Sequence, residues 1–149
     1  MIAPAVHYGD AIARSNFEKS IAILFANCYN QSMKENKLLE LSQEFAVNII
    51  QVARILKGKG EHGFADQIKR SGTSISANIS EGNHPQSRAD MISKFEIALK
   101  EANETENWLI VFRKSELIDE SLFEAVHKKL VKLKIILIRS IRTLKKKKP

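Results

Sequence analysis

Hydrophobic positions recur at steps of three and four residues along most of this 149-residue chain, which places them on single faces of helices. Four segments show this spacing: residues 33 to about 58, about 64–81, 87 to about 114, and a last segment after a short turn at 115–119. No segment alternates apolar and polar residues between hairpin turns, so strands are not predicted. The pattern predicts an all-α fold, an antiparallel up-and-down four-helix bundle with short connections.

The second helix is unusual because its sequence, RSGTSISANISEG, consists largely of small residues. Its isoleucines keep helical spacing together with Gly72, which argues against a flexible linker. Small side chains allow a neighbouring backbone to approach, so Gly72 and Ala77 are expected to be packed too tightly to accept a leucine. The residues expected at such a close helix contact, or at an oligomer interface, are Ser71, Gly72, Ser74 and Asn78.

Signals for the ends of helices accompany this pattern. The first helix is expected to end near Gly58 and Gly60, and the second at Gly82. Ser87 followed by Asp90 resembles a capping box, with Asp in place of the usual Glu. These signals support three of the predicted boundaries.

Residues 1–32 differ from the rest in their weak periodicity, and only Ile21, Leu24 and Cys28 fit a short helix. We therefore divide the chain into an N-terminal extension, 1–32, which allows one extra helix, and a four-helix-bundle domain, 33–149. The extension lacks the cleavage site of an export signal, and no apolar run is long enough to span a membrane. A single cysteine excludes an intrachain disulfide, and a cytoplasmic protein without membrane contact is expected.

The charge of the chain is concentrated in its last helix. Residues 119–149 carry ten basic and three acidic residues, a net charge of +7 that equals that of the whole chain. A basic strip on one helix is the electrostatic pattern expected of a phosphate-binding surface. The alternative is a solubilising helix whose final lysines favour the helix dipole. The residues predicted to contact RNA or DNA are Lys128, Lys132, Arg139, Arg142, Lys145, Lys146, Lys147 and Lys148.

The last helix also carries a second apolar stripe, formed by Val131, Ile135 and Ile138. This stripe lies on the far side from core positions such as Leu133 and Leu137, so one bundle cannot bury both. Exposed apolar patches of this kind usually mark interfaces. The stripe predicts self-association, and together with the small-residue face of the second helix it could close a ring.

Signals for catalysis and metal binding are weak. The four histidines show no zinc-helix spacing, and no glycine-rich phosphate loop is present. Glu81 with His84 and Glu124 with His127 have the spacing of a di-metal bundle, but neither pair is expected to face the interior. Glu101 and Glu104 are expected on a solvated face, with Lys100 and Glu104 as an ion pair. The sequence predicts a non-enzyme with no catalytic residue, metal or cofactor.

Three stretches, KENKLLELSQEFAVNIIQVARILK, QIKRSGTSISANISEG and SRADMISKFEIALKEANETENWL, resemble the bacterial four-helix-bundle family of proteins encoded within 23S rRNA intervening sequences. The resemblance covers Met33 to the C-terminus, 117 of 149 residues. Relatives in that family include accessory proteins of diversity-generating retroelements, which form pentameric rings and bind a reverse transcriptase and nucleic acid. The resemblance therefore implies the bundle fold, a homo-oligomer such as a pentamer, and a reverse transcriptase as one kind of partner.

Two functions remain open at this point. One is a non-enzymatic oligomer that binds RNA or DNA and acts as an adaptor for an enzyme that handles nucleic acid. The other is a structural or protein-interaction bundle without a nucleic-acid ligand.

Overall fold

Four helices make up the part of the chain that the computed structural model describes, residues 37–146. Helix α1 occupies residues 37–58, α2 His62–Gly82, α3 Arg88–Lys114 and α4 Glu120–Lys146. They pack against one another as a bundle, and residues 37–146 contain no strand. The predicted fold class is confirmed. The suggested helix at Ile21, Leu24 and Cys28 and the closing Lys147 and Lys148 lie outside the described residues.

The core consists of one apolar face from each helix. The fully buried large side chains recur at helical spacing: Phe45, Ile49, Val52 and Leu56 on α1, Ile68, Ile75 and Ile79 on α2, Leu109 and Phe112 on α3, and Leu130, Leu133 and Leu137 on α4. Each large aliphatic or aromatic side chain removed from water contributes about 1.5 to 3 kcal/mol to the hydrophobic stabilisation of the fold. The buried face of each helix therefore fixes its rotation, and with it the residues that face solvent.

The turn between α1 and α2 depends on a glycine. Gly60 has a φ of 86°, and the N–H of Glu61 donates to the carbonyl of Leu56 at 2.9 Å. This is the Schellman arrangement, in which a left-handed residue after the helix satisfies its last carbonyls. The predicted end of α1 is confirmed.

The turn between α3 and α4 has the same geometry without a glycine. Glu116 takes the left-handed position with a φ of 58°, and the N–H of Leu117 donates to the carbonyl of Phe112 at 2.9 Å. Asp119 then caps α4, because its Oδ1 accepts the N–H of Leu122 at 2.8 Å. The position of this turn agrees with the predicted residues 115–119.

Helix α2 ends at Gly82 as predicted, but for a different physical reason. A Cβ at this position would lie 2.6 Å from Cε1 of Phe95, so the missing side chain makes room for an aromatic ring of α3. The next helix begins at its predicted cap, where Ser87 Oγ accepts the N–H of Asp90 at 3.1 Å. Asp90 Oδ2 accepts the N–H of Gln86, one residue before the position that a complete capping box would use.

The small residues of α2 pack inside the chain. A Cβ on Gly72 would lie 2.6 Å from Cγ2 of Ile49, so α1 approaches the backbone of α2 at this point. Ser71 is buried on the neighbouring side and accepts a hydrogen bond from Thr105 Oγ1 of α3 at 2.9 Å. Close packing at Gly72 is confirmed, whereas Ala77 is exposed, and the expectation that a leucine would not fit there is wrong.

This burial bears on the roles predicted for the small residues. Ser71 and Gly72 are covered by α3 and α1 of the same chain, which supports close helix packing, one of the two roles predicted for them. Ser74 and Asn78 are half-buried, and Asn78 Nδ2 donates to the carbonyl of Ser74 at 2.9 Å within α2. The small-residue face of α2 serves the interior of the bundle.

Candidate nucleic-acid interface

Lys128, Lys132, Arg139, Arg142 and Lys146 of α4 project from the face opposite its core positions, whereas Lys145 lies nearer to α3. Six of the predicted nucleic-acid contacts fall within the described residues, and all six are exposed: Lys128, Lys132, Arg139, Arg142, Lys145 and Lys146. At about 1.5 Å per residue the strip from Lys128 to Lys146 is roughly 27 Å long. Because α4 is one uninterrupted helix, these cations are held along a straight line.

Ion pairs divide the cations of α4 into two groups. Three lysines neutralise carboxylates of neighbouring helices: Lys134 Nζ lies 2.5 Å from Glu106 and Lys145 Nζ 2.5 Å from Glu96, both on α3, and Lys129 Nζ lies 4.0 Å from Glu44 on α1. Within residues 37–146 the four cations Lys128, Lys132, Arg139 and Arg142 make no ion pair. These four side chains remain available for phosphate groups.

Glu106 is the acidic centre of the contact between α3 and α4. Its Oε1 lies 3.0 Å from His127 Nε2 and its Oε2 lies 2.5 Å from Lys134 Nζ. Partial burial raises the pKa of Glu106, but the hydrogen bonds from Lys134 and His127 outweigh burial and hold this pKa below its ordinary value. His127 also stacks on Phe123, with ring centroids 4.9 Å apart. Helical spacing gave no signal for this cluster, because its members come from two helices.

The second apolar stripe of α4 is exposed in part. Val131 is 37% exposed and Ile135 is 44% exposed, whereas Ile138 is half-buried. At 100° per residue this stripe lies roughly 60° around the helix from the mean direction of the basic strip, with Ile135 and Arg142 near the boundary. The outer surface of α4 therefore combines cations and aliphatic side chains in neighbouring rows.

A family model for the 23S rRNA-intervening sequence protein matches residues 34–139. A crystal structure from Bacteroides thetaiotaomicron VPI-5482, described as a protein of unknown function from the S23 ribosomal protein family, is 43% identical in sequence to this chain. The match covers 73% of this chain and 98% of that chain, with a TM-score of 0.71. No curated protein matches the chain significantly. The chain belongs to the 23S rRNA-intervening sequence protein family.

The small-residue sequence of α2, RSGTSISANISEG, is explained by helix packing. Arg70 binds Glu104 of α3 at 3.1 Å, Ser71 binds Thr105, and Glu81 pairs with Lys94 of α3. Gly72 and Gly82 admit side chains of α1 and α3, respectively. The motif consists of residues that join α2 to its neighbours, and none of these contacts requires a ligand.

The acidic residues of α3 differ from their predicted roles. Glu104 pairs with Arg70 and not with Lys100, so the predicted i, i+4 pair is wrong. Glu101 is half-buried, and its Oε2 is enclosed without a hydrogen-bond partner among the described residues. The expectation of a solvated face is therefore wrong for Glu101.

Within residues 37–146, no three His, Cys, Asp or Glu side chains lie close enough together to hold a metal ion. Glu81 binds Lys94 and the exposed His84 lies in the loop after α2, while His127 turns toward Glu106 of α3 and Glu124 stays exposed. In each Glu-x-x-His pair, the glutamate and the histidine therefore have different surroundings.

Neither the family nor the Bacteroides relative is described as an enzyme. No helix within the described range is long and apolar enough to cross a bilayer.

Proposed function

We propose that this protein is a non-enzymatic homo-oligomer that binds RNA or DNA with little sequence preference through the outer face of α4. The observation that carries the proposal is the contrast among the cations of α4. Those on its flanks are neutralised by carboxylates of α1 and α3, whereas Lys128, Lys132, Arg139 and Arg142 are exposed and have no ion-pair partner among residues 37–146. Lysine and arginine rows of this kind attract phosphate backbones.

The composition of the strip supports binding through phosphates without base stacking. No aromatic side chain accompanies these cations on the outer face of α4, so stacking on single-stranded bases has no platform there. An oligomer would repeat the strip in every subunit and strengthen weak phosphate contacts through avidity. By resemblance to retroelement accessory proteins, such an assembly, for example a pentamer, would act as an adaptor that holds nucleic acid for an enzyme such as a reverse transcriptase.

The test is a fluorescence-anisotropy titration with duplex and single-stranded oligonucleotides at several salt concentrations. If six to ten phosphates are neutralised, affinity should fall by about 10³ to 10⁵ between 50 and 200 mM salt. The variant Lys128→Gln/Lys132→Gln/Arg139→Gln should bind more weakly, and its log–log salt slope should be shallower by about 2 to 3. The control for the loss of net charge is the variant Lys69→Gln/Lys100→Gln/Lys114→Gln, which removes three exposed cations from α2 and α3.

The alternative is a protein-interaction bundle without a nucleic-acid ligand. It is favoured by the exposed Val131 and Ile135, which phosphate binding does not require. Absence of binding at low salt, or equal losses in the two triple variants, would refute the nucleic-acid proposal and leave this alternative.

A further inference from the structure

The last turn of α4 is joined to α3 by two side chains of opposite charge. Glu96 Oε1 of α3 lies 2.5 Å from Lys145 Nζ, and the guanidinium of Arg88, the first residue of α3, donates to the carbonyl of Leu144. Both contacts lie at the surface, because Arg88, Glu96 and Lys145 are exposed. The end of the basic strip therefore lies beside an exposed cation and an exposed carboxylate of another helix.

The ion pair of Lys145 differs from that of Lys134 in its exposure to solvent. The side chains of Lys145 and Glu96 are 56% and 47% exposed, whereas those of Lys134 and Glu106 are 21% and 23% exposed. Ion pairs in contact with water contribute little to stability and are screened by salt. Lys145 can therefore exchange its carboxylate for another anion with little loss of stability, whereas Lys134 is held in the contact between α3 and α4.

Arg88 adds a cation to this end of the molecule from outside α4. Its contact with Leu144 places the guanidinium at the C-terminal turn of α4, which ends at Lys146. A guanidinium carries five N–H donors, so the bond to one carbonyl leaves others for an anion. No carboxylate among residues 37–146 forms an ion pair with Arg88. Arg88 is therefore as available for phosphate groups as the four unpaired cations of α4.

We propose that the phosphate-binding surface continues from α4 onto the start of α3, with Arg88 as an additional cation and Lys145 as an exchangeable one. In the free protein Glu96 holds Lys145, and the phosphate backbone of a bound nucleic acid takes the place of this carboxylate. Glu96 is then a competing anion that lowers the affinity for nucleic acid, while Arg88 raises it. The inference deepens the proposed function and rests on it, because it assigns residues of a second helix to the same surface.

Fluorescence anisotropy with a labelled DNA duplex, and with an RNA duplex of the same sequence, at several salt concentrations tests the inference. Glu96→Gln should bind more tightly than wild type, and its log–log salt slope should be steeper by about 1, because Lys145 then releases one further counterion from the duplex. At that slope its advantage over wild type should shrink about three- to fourfold between 50 and 200 mM salt. Arg88→Gln should bind more weakly than wild type, with a slope shallower by about 1.

Matched controls separate these effects from a change in net charge. Glu120→Gln makes the same change in charge as Glu96→Gln and also opens an ion pair between α3 and α4, that of Arg113, but at the opposite end of α4, so its affinity should stay close to wild type. Arg54→Gln removes an exposed arginine of α1 and is the control for Arg88→Gln. Arg88→Lys should retain the wild-type slope, because it keeps the charge. Circular dichroism checks that every variant is folded.

Three results would overturn the inference: no gain in affinity for Glu96→Gln, an equal gain for Glu96→Gln and Glu120→Gln, or a slope of Arg88→Gln no shallower than that of Arg54→Gln. If wild type binds and any of these results is found, the proposed function still stands, because the triple variant of α4 tests that surface by itself. A wild type that does not bind at low salt would refute both proposals. The two failures are therefore distinguishable.

Discussion

Helices α2 and α4 are both amphipathic and both form ion pairs with α3, yet they differ in how closely their backbones approach their neighbours. Helix α2 approaches α1 and α3 through positions with little or no side chain, such as Gly72 against Ile49 and Gly82 against Phe95. Helix α4 reaches the same two neighbours with long lysines, as in the pair of Lys134 with Glu106. The difference shows that one bundle can combine a rigid, sterically determined contact with an adaptable, electrostatic one.

This difference has consequences for function. The small residues of α2 are used within the chain, so substitutions there should change stability first. The long side chains of α4 leave its outer face free, so substitutions there should change binding first. The turns before the two helices also differ in side-chain size. The left-handed position is occupied by Gly60 before α2 and by Glu116 before α4.

The largest expected effect is at Gly72. The change Gly72→Leu should lower the free energy of unfolding by about 1 to 3 kcal/mol, because its Cβ alone would lie 2.6 Å from a buried branched side chain, Ile49. Ala77→Leu on the same helix is the control and should stay within about 0.5 kcal/mol of wild type, because Ala77 is exposed. Urea unfolding at one protein concentration measures both. Equal stability of the two variants would show that Gly72 is not in a tighter helix contact than Ala77.

An intermediate effect is expected at the electrostatic contact of α4. Glu106→Gln should lower stability at pH 7 by about 1 kcal/mol, because the variant lacks the half-buried carboxylate that pairs with Lys134 and hydrogen-bonds to His127. Despite partial burial, the hydrogen bonds from Lys134 and His127 hold the folded-state pKa of Glu106 below its ordinary value, so its contribution is fully present above the unfolded-state pKa and is lost as the pH falls through the lowered folded-state pKa. The difference between wild type and variant should therefore shrink as the pH is lowered from 7 through the acidic range.

The control for this prediction is Glu124→Gln, an exposed glutamate of α4 without an ion pair among the described residues. Its stability should follow wild type across the same pH range in thermal unfolding. A difference between Glu106→Gln and wild type that is constant with pH would contradict the assigned role of the carboxylate.

The smallest expected effect concerns the two turns. Glu116→Gly should raise the free energy of unfolding by about 0.5 to 1 kcal/mol, because glycine adopts the left-handed conformation without the steric cost of a Cβ. The gain is limited by the larger entropy that glycine gives the unfolded chain. Denaturant unfolding of this variant next to Gly60→Ala, which should be destabilised, measures both turns. A destabilised Glu116→Gly would show that the Glu116 side chain has a favourable contact that outweighs its backbone strain.

Apolar spacing along the sequence determined the four helices, their turns and most of the core, because the periodicity of a helix is a local property. The exposed cations of α4 were also predictable, since they occupy the face opposite Leu133 and Leu137 on the same helix. The same reasoning placed Gly72 in a tight contact and Ile135 on the surface, and both predictions are confirmed.

Only the tertiary structure decided which helices meet at each face. Ala77 is small, like the residues at close helix contacts, but it is exposed to solvent. Gly82 lies at the end of α2, where its missing side chain makes room for Phe95. Glu104 pairs across helices with Arg70 in preference to Lys100, and Glu106 joins two side chains of α4. The physical reason is that ion pairs and close contacts depend on distances between helices, and the spacing along one helix contains no information about its neighbour's rotation and register.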